Sequence, residues 1–169
     1  LGWFQINATT GVVTTVVGAN IDFETAASVL LTIQASDGVT TPVSAGFTIS
    51  IGNANEAPSA PIDIDPAANT VADGAGAGTI VGVTARATDP ESVNPTYTIT
   101  GGNGFGWFTI NATTGVISVA SGQTVQYETA QSALLTVQAS DGVNTSSSDS
   151  RVPSTRQPSV ASSAICSVL

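Results

Sequence analysis

Residues 2–12 (GWFQINATTGV) return as residues 106–116 (GWFTINATTGV), and the same offset of 104 carries Glu24, Thr25 and Ala26 onto Glu128, Thr129 and Ala130. Residues 30–39 (LLTIQASDGV) likewise return as 134–143 (LLTVQASDGV). Residues 1–41 align with 105–145 without a gap, and 25 of 41 positions are identical. That is a duplication, so both copies must share one fold. A period near 100 residues is too long for a solenoid repeat and matches one β-sandwich domain per repeat, joined as beads on a chain.

Within each copy the apolar period is two. Phe4 and Ile6, then Leu31, Ile33 and Ala35, then Phe47, Ile49 and Ile51 alternate with polar neighbours such as Thr32, Gln34, Thr48 and Ser50. Val81, Val83, Ala85 and Ala87 alternate in the same way, with Thr84 and Arg86 on the other face. These are half-buried strands. Turn signals separate them: Thr10-Gly11, Asp37-Gly38, Gly52-Asn53, Asp73-Gly74, Gly101-Gly102, Thr114-Gly115 and Asp141-Gly142. The pattern predicts strands near 3–7, 12–17, 28–36 and 46–51 in the first copy. In the second it predicts strands near 60–64, 69–73, 79–87, 95–100, 107–111, 116–120 and 132–140. The fold class is therefore all-β, a tandem antiparallel Greek-key sandwich of immunoglobulin-like type with its first repeat truncated.

Composition supports this and closes other routes. About 41% apolar residues suffice for a core, while 9% charged residues with 17 Gly and 8 Pro leave no room for long amphipathic helices. No apolar run reaches the roughly 18 residues of a membrane-spanning helix. Leu1 opens in mid-pattern without a leader, so the chain reads as cut from something longer. Twelve acids face three arginines and no lysine, and up to residue 148 the only cation is Arg86 against eleven acids. Such a surface repels phosphate backbones, so no nucleic-acid partner is expected, and it suits hard cations. The chain has no histidine, which removes Ser-His-Asp and Cys-His triads and the usual zinc sites, and no enzyme is expected. The lone Cys166 cannot form an internal disulfide and reads as an incidental thiol.

Five motifs stand out: Phe-x-Ile-Asn-x-x-Thr-Gly-x at 4–12 and 108–116, Asp22-Phe23-Glu24, Val-x-Ala-x-Asp-Gly ending at Asp141-Gly142, Ala87-Thr88-Asp89-Pro90-Glu91, and Asn53-Ala54-Asn55-Glu56-Ala57-Pro58. Taken together, these motifs resemble the cadherin repeat family, in particular its bacterial surface or adhesin type. The resemblance covers residues 1 to about 145. It implies seven-stranded sandwiches joined by linkers that bind calcium. The domains are then the C-terminal part of a repeat at 1–52, a calcium-binding linker at 53–58, a repeat lacking its last strand at 59–145, and a disordered or aberrant tail at 146–169. That tail, with Pro153 and Pro158, shows no alternation.

Carried onto this chain, the resemblance implies a ligand set of Asp22 and Glu24 from the first repeat, with Asn53, the Asn55 carbonyl and Glu56 from the linker. Asp89, Glu91, Asn94 and Asp141 follow from the second repeat. Calcium accepts six to eight oxygens without strict geometry, so three separate segments can share it. There are departures from the family pattern. Asn53 stands where the family has a linker Asp, Glu56 and Glu91 are longer than the usual Asp, and Gln126 occupies the position that corresponds to Asp22. Asp37 would serve a preceding junction.

The implied role is a structural and adhesive segment of a large exported surface protein, extracellular and of bacterial type, in which calcium stiffens the junction between repeats. Its partners would be adjacent repeats of the same chain, with homophilic or glycan partners on a cell surface. The rival reading is a polysaccharide-binding module of an extracellular enzyme or matrix protein. It depends on Trp3 and Trp107, which the period of two places opposite Phe4 and Ile6 and their counterparts, either exposed as a stacking platform or packed under a loop. Asn7-Ala8-Thr9, Asn111-Ala112-Thr113 and Asn144-Thr145-Ser146 fit glycosylation acceptors, though the first two sit in tight turns that explain an Asn without a sugar.

Overall fold

The computed structural model describes residues 1–146 and 165–168. Every regular element in them is a β-strand. The chain divides into two compact units, Leu1–Ala54 and Asn55 onward.

The second unit is the fuller sandwich. Its strands are β5 (Ile62–Asp63), β6 (Thr70–Ala72), β7 (Ile80–Arg86), β8 (Thr96–Gly101), β9 (Phe108–Ile110), β10 (Val116–Val119), β11 (Ser132–Ala133), β12 (Thr136–Ser140) and β13 (Ile165–Val168). One sheet has the order β5-β7-β10-β9. The other side is built from β11-β13-β6 and from the antiparallel pair β12-β8. Alternation in β7 turns Val81, Val83 and Ala85 inward, where they meet Ile117 and Val119 of β10 and Phe108 of β9. From the other side come Val71, Tyr97, Leu135, Val137 and Ala139. Val81, Val125 and Ile117 are wholly buried, each worth roughly 1.5–3 kcal/mol relative to exposure. Tyr97 belongs to this core, and its phenol oxygen accepts a hydrogen bond from the Ala87 N–H at 3.0 Å, fastening β8 to the end of β7.

A bulge lies between β7 and β10, where the register steps from Val116↔Thr84 to Ser118↔Ile80. Gly82 sits within it at φ 73°, its Cα turned to the Ala68 carbonyl so closely that no side chain fits.

The first unit holds two antiparallel pairs. β1 (Phe4–Ile6) pairs with β2 (Val13–Thr15), and β3 (Ser28–Ala35) pairs along its whole length with β4 (Val43–Ser50). The duplicated turn is built alike in both copies. Asn7 Oδ1 accepts from the Thr9 and Thr10 N–H groups at 2.9 and 3.0 Å, and Asn111 Oδ1 accepts from Thr113 and Thr114 at 3.0 Å each. These asparagines earn their place as turn formers. The strand partners that cover the second copy have no counterpart among the described residues of the first, so Leu31 is only half-buried where its counterpart Leu135 is 1% exposed, and Phe47 is 51% exposed.

Some expectations need correction. β4 begins at Val43, three residues before the expected start, because pairing with Ala35 extends the hairpin past Gly46. The expected single strand at 132–140 is interrupted between β11 and β12. Of the two readings left open for Trp3 and Trp107, the packed one holds, with 7% and 5% exposure. Strand alternation does not govern them: each precedes its strand and follows a glycine of positive φ, and Trp107 stacks on Phe105 with its edge to Phe108. The expectation of an irregular tail at 146–169 falls mostly outside the described residues. Where it does not, β13 forms a strand, running antiparallel to β6 and parallel to β11, whose short edges would otherwise stay open.

Candidate metal centre

Asp22, Asp89 and Asp141 are each held by local backbone geometry. In the first unit Asp22 opens a turn. Its Oδ1 accepts from the Glu24 N–H at 3.0 Å and the Thr25 N–H at 3.4 Å, and its Oδ2 accepts from the Thr25 hydroxyl at 2.7 Å. That hydroxyl is the leading reason the Asp22 carboxyl is held below its ordinary value. The same turn forms in the second copy with Gln126 in place of Asp22, its carbonyl accepting from Thr129 and Ala130. The carboxylate is therefore not required by the backbone. Glu24 and Asn53 are exposed.

In the second unit, positions far apart in sequence meet. Asn55 Nδ2 donates to Asp141 Oδ2 at 2.6 Å and to the Glu56 carbonyl at 3.2 Å. Asp141 Oδ1 meanwhile accepts from the Val143 and Asn144 N–H groups at 2.7 and 2.6 Å. The Val143 N–H is foremost among the groups that lower the Asp141 carboxyl, with the Asn55 amide next. Asp37 repeats this turn in the first unit, accepting from Val39 and Thr40, and is lowered to about 2 chiefly by the Thr40 and Val39 N–H groups.

The loop after β7 brings Asp89 and Glu91 to the same neighbourhood as Glu56. Asp89 Oδ1 accepts from the Glu91 N–H at 3.1 Å and the Val93 N–H at 3.3 Å, bending the loop through Ser92 at φ 61°. The Glu56 N–H reaches Glu91 Oε1 at 3.5 Å, and carboxylate oxygens of Glu56 and Glu91 lie within 4.8 Å of one another. Hydrogen bonding with the Glu56 side chain is the main influence holding the Glu91 carboxyl below its ordinary range. A hydrogen bond between two carboxyl groups needs a shared proton, so a cation would take the place of that proton. Two oxygens here, Asp89 Oδ2 and Glu91 Oε2, are enclosed and have no hydrogen-bond partner. Enclosed carboxylate oxygens without donors are costly unless something positive completes them. Hard oxygen donors in this number fit calcium.

Of the nine residues named from sequence, the second unit thus gathers Asn55, Glu56 and Asp141, and places Glu91 and Asp89 with Glu56. Asn94 is exposed and lines a cavity beside Arg86 and Pro95. Asn144 escaped the sequence reading: its Nδ2 donates to the Asn55 carbonyl at 3.0 Å, so a residue met as a glycosylation signal clamps the linker. Its place just after the Asp-Gly turn was the one available hint.

A family model described as cadherin domain matches residues 70–156, just over half of the chain. Among solved structures, mouse cadherin-23 EC22-24 is similar with a TM-score of 0.58 at 21% identity, covering 99% of this chain and 50% of that one. Human protocadherin-24 EC1-2 gives 0.54 at 20% identity, covering 99% and 76%. Mouse clustered PcdhgC3 EC1-3 gives 0.52 at 24%, covering 98% and 50%. The chain spans about half the length of the cadherin-23 and PcdhgC3 fragments, and at these identities the likeness speaks for the fold. No curated protein matches the chain. With the family model spanning most of the second unit and the sandwich seen in these structures, the chain belongs to the cadherin family.

Proposed function

We propose that this chain is a calcium-binding structural and adhesive segment of a large exported surface protein, and that calcium rigidifies the junction between its repeats. The ligands would be Asp22 and Glu24 from the first unit, Asn53, the Asn55 carbonyl and Glu56 from the linker, and Asp89, Glu91 and Asp141 from the second, with Asn94 at the margin. The observation that carries this reading is the enclosed, partnerless oxygen Glu91 Oε2, in a residue with a carboxylate oxygen within 4.8 Å of one of Glu56, together with Asp89 Oδ2, likewise enclosed and partnerless on the same loop. Bound calcium would supply the positive charge that lets these carboxylates stay ionised at close range, where each unscreened pair repels by about 4 kcal/mol at an effective dielectric near 20.

Export without disulfides suits a bacterial surface better than an animal one. Adjacent repeats of the same chain would be the first partners, and homophilic contact on a cell surface the second. The polysaccharide-module alternative loses its sequence basis because Trp3 and Trp107 are buried and offer no stacking platform.

Thermal melting with and without calcium tests the reading. For affinity in the weak extracellular range of roughly 0.1–1 mM, 5 mM calcium should stabilise the second unit by about 1–2 kcal/mol, a rise of about 5–10 °C. No rise in 5 mM calcium would refute it.

A further inference from the structure

Arg86 is the only cation up to residue 150, and no described acid pairs with it. It sits at the end of β7 with its Cα opposite Ile62, and Ala85 and Ala87 on either side of it point inward. Its side chain therefore faces outward, onto a cavity of about 370 Å³. Asn94, Thr113 and Thr114 line the same cavity, with Ile64 and Pro95 giving it an apolar side. The side chains of Arg86, Asn94 and Thr113 make no hydrogen bond to any described residue. Thr114 Oγ1 accepts one weak bond, from the Val116 N–H at 3.4 Å, and keeps its own hydrogen to donate. Tyr97 also borders the space; its oxygen accepts from the Ala87 N–H and its own hydrogen is left to donate.

We propose that this cavity binds a carboxylated sugar, a hexuronate unit of an acidic polysaccharide, with Arg86 on the carboxylate. A guanidinium receives a carboxylate through two parallel N–H···O bonds, and among the described residues this is the one basic side chain, with no described acid paired to it. The amide of Asn94 and the hydroxyls of Thr113 and Thr114 are donors and acceptors suited to ring hydroxyls, and Ile64 with Pro95 suits the apolar face of a pyranose. The volume lies within the range of small-ligand sites. One exposed arginine on an acidic body gives weak binding per site, which serves a chain whose repeats act together. The tryptophans play no part, and the proposal does not rest on the calcium reading.

The test is an NMR titration of the whole chain with trigalacturonate in buffer containing EDTA, so that no calcium bridge contributes. The Arg86 Nε–H, the Asn94 side-chain amide and the Thr113 and Thr114 amides should shift together. Arg86→Gln, and separately the methyl-esterified trisaccharide, should weaken the response about tenfold or more. Arg86→Lys, which keeps charge without the fork, should fall between. Arg86 is exposed, so Arg86→Gln should retain the dispersed spectrum of the parent. Should that variant lose it, Thr113→Val provides the comparison. The proposal is overturned by unmoved signals at these residues, by equal shifts from the methyl ester, or by undiminished shifts in Arg86→Gln. A tetraglutamate peptide that binds as well as the sugar also overturns it, since the ligand class would then be polypeptide.

Discussion

Asn55 Nδ2 lies 2.6 Å from Asp141 Oδ2, joining the linker to a turn 86 positions further along the chain. The contact separates holding the linker from holding an ion. Asn55→Ala removes the amide and keeps the backbone carbonyl, whereas Asp141→Asn keeps the shape and removes the charge. Asn55→Ala should lower the melting midpoint in EDTA while preserving most of the calcium-induced rise. Asp141→Asn should lose most of that rise, with calcium affinity reduced about tenfold. Calcium titrations followed by melting check this. An undiminished rise in Asp141→Asn would leave Asp141 with its turn-forming role alone.

Tyr97→Phe probes the fastening of β8 to β7. The Ala87 N–H then loses the phenol oxygen that accepts its bond at 3.0 Å in the core. An orphaned buried donor costs about 1–3 kcal/mol, so the urea midpoint of the second unit should fall accordingly while packing is kept. An unchanged midpoint would mean that water reaches Ala87.

Much of this was legible beforehand, and the reasons are specific. Val81, Val83 and Ala85 alternate strictly because β7 has one face in the core and one outside, so the period of two could be read directly. The break between β11 and β12 could not. Residues 132–140 alternate through it without interruption, and the break belongs to the place where Gly102 passes close against the Leu134 carbonyl, a tertiary contact. The candidate acids were named through the family resemblance, and Asp22, Asp89 and Asp141 among them sit in locally encoded turns. Their partners were harder: Asn144 reaches Asn55 across 89 positions, and no local pattern encodes that distance. Burial of Trp107 was one of the two readings the sequence left open, but its stacking partner Phe105 was not legible there.

The duplicated glycines give an internal control. Gly11 and Gly115 have φ of 71° and 73°, but a Cβ on Gly11 meets nothing within 4 Å, whereas one on Gly115 would collide with the Ala85 carbonyl oxygen. Gly11→Ala should therefore cost only the strain of a left-handed residue, about 1 kcal/mol, and Gly115→Ala about 3 kcal/mol or more. Urea unfolding read by NMR in each unit separates the two. Equal costs would show that the Ala85 backbone yields.

Asp37 sets a pH dependence for the first unit. Its carboxyl is lowered from 3.8 to about 2 by the Thr40 and Val39 N–H groups, so the folded turn binds a proton less readily than the unfolded chain. The sign follows: the stabilisation is complete above about pH 4 and is lost as pH falls from 3.8 toward 2. The Thr40 amide shift should titrate with a midpoint near 2. Asp37→Asn should remove that titration. A midpoint near 3.8 would mean the turn does not hold the carboxylate.

The two units should also differ in protection. Among the described residues of the first unit, Trp3 is the one buried apolar side chain, and the 8-residue strands β3 and β4 pair only with each other. A two-stranded ribbon without a covered face is marginal in water. In the second unit, β7 and β10 sit inside a four-stranded sheet over a core that includes Val81, Val83, Ile117 and Val119. Amide exchange in β3 and β4 should therefore run through local opening of low free energy, and that in β7 and β10 through global unfolding, a difference of a hundredfold or more for each ~2.8 kcal/mol between them. Exchange followed by NMR on the whole chain measures this directly. Equal protection of Leu31 and Val83 would mean that the first unit acquires a cover for its apolar face in solution.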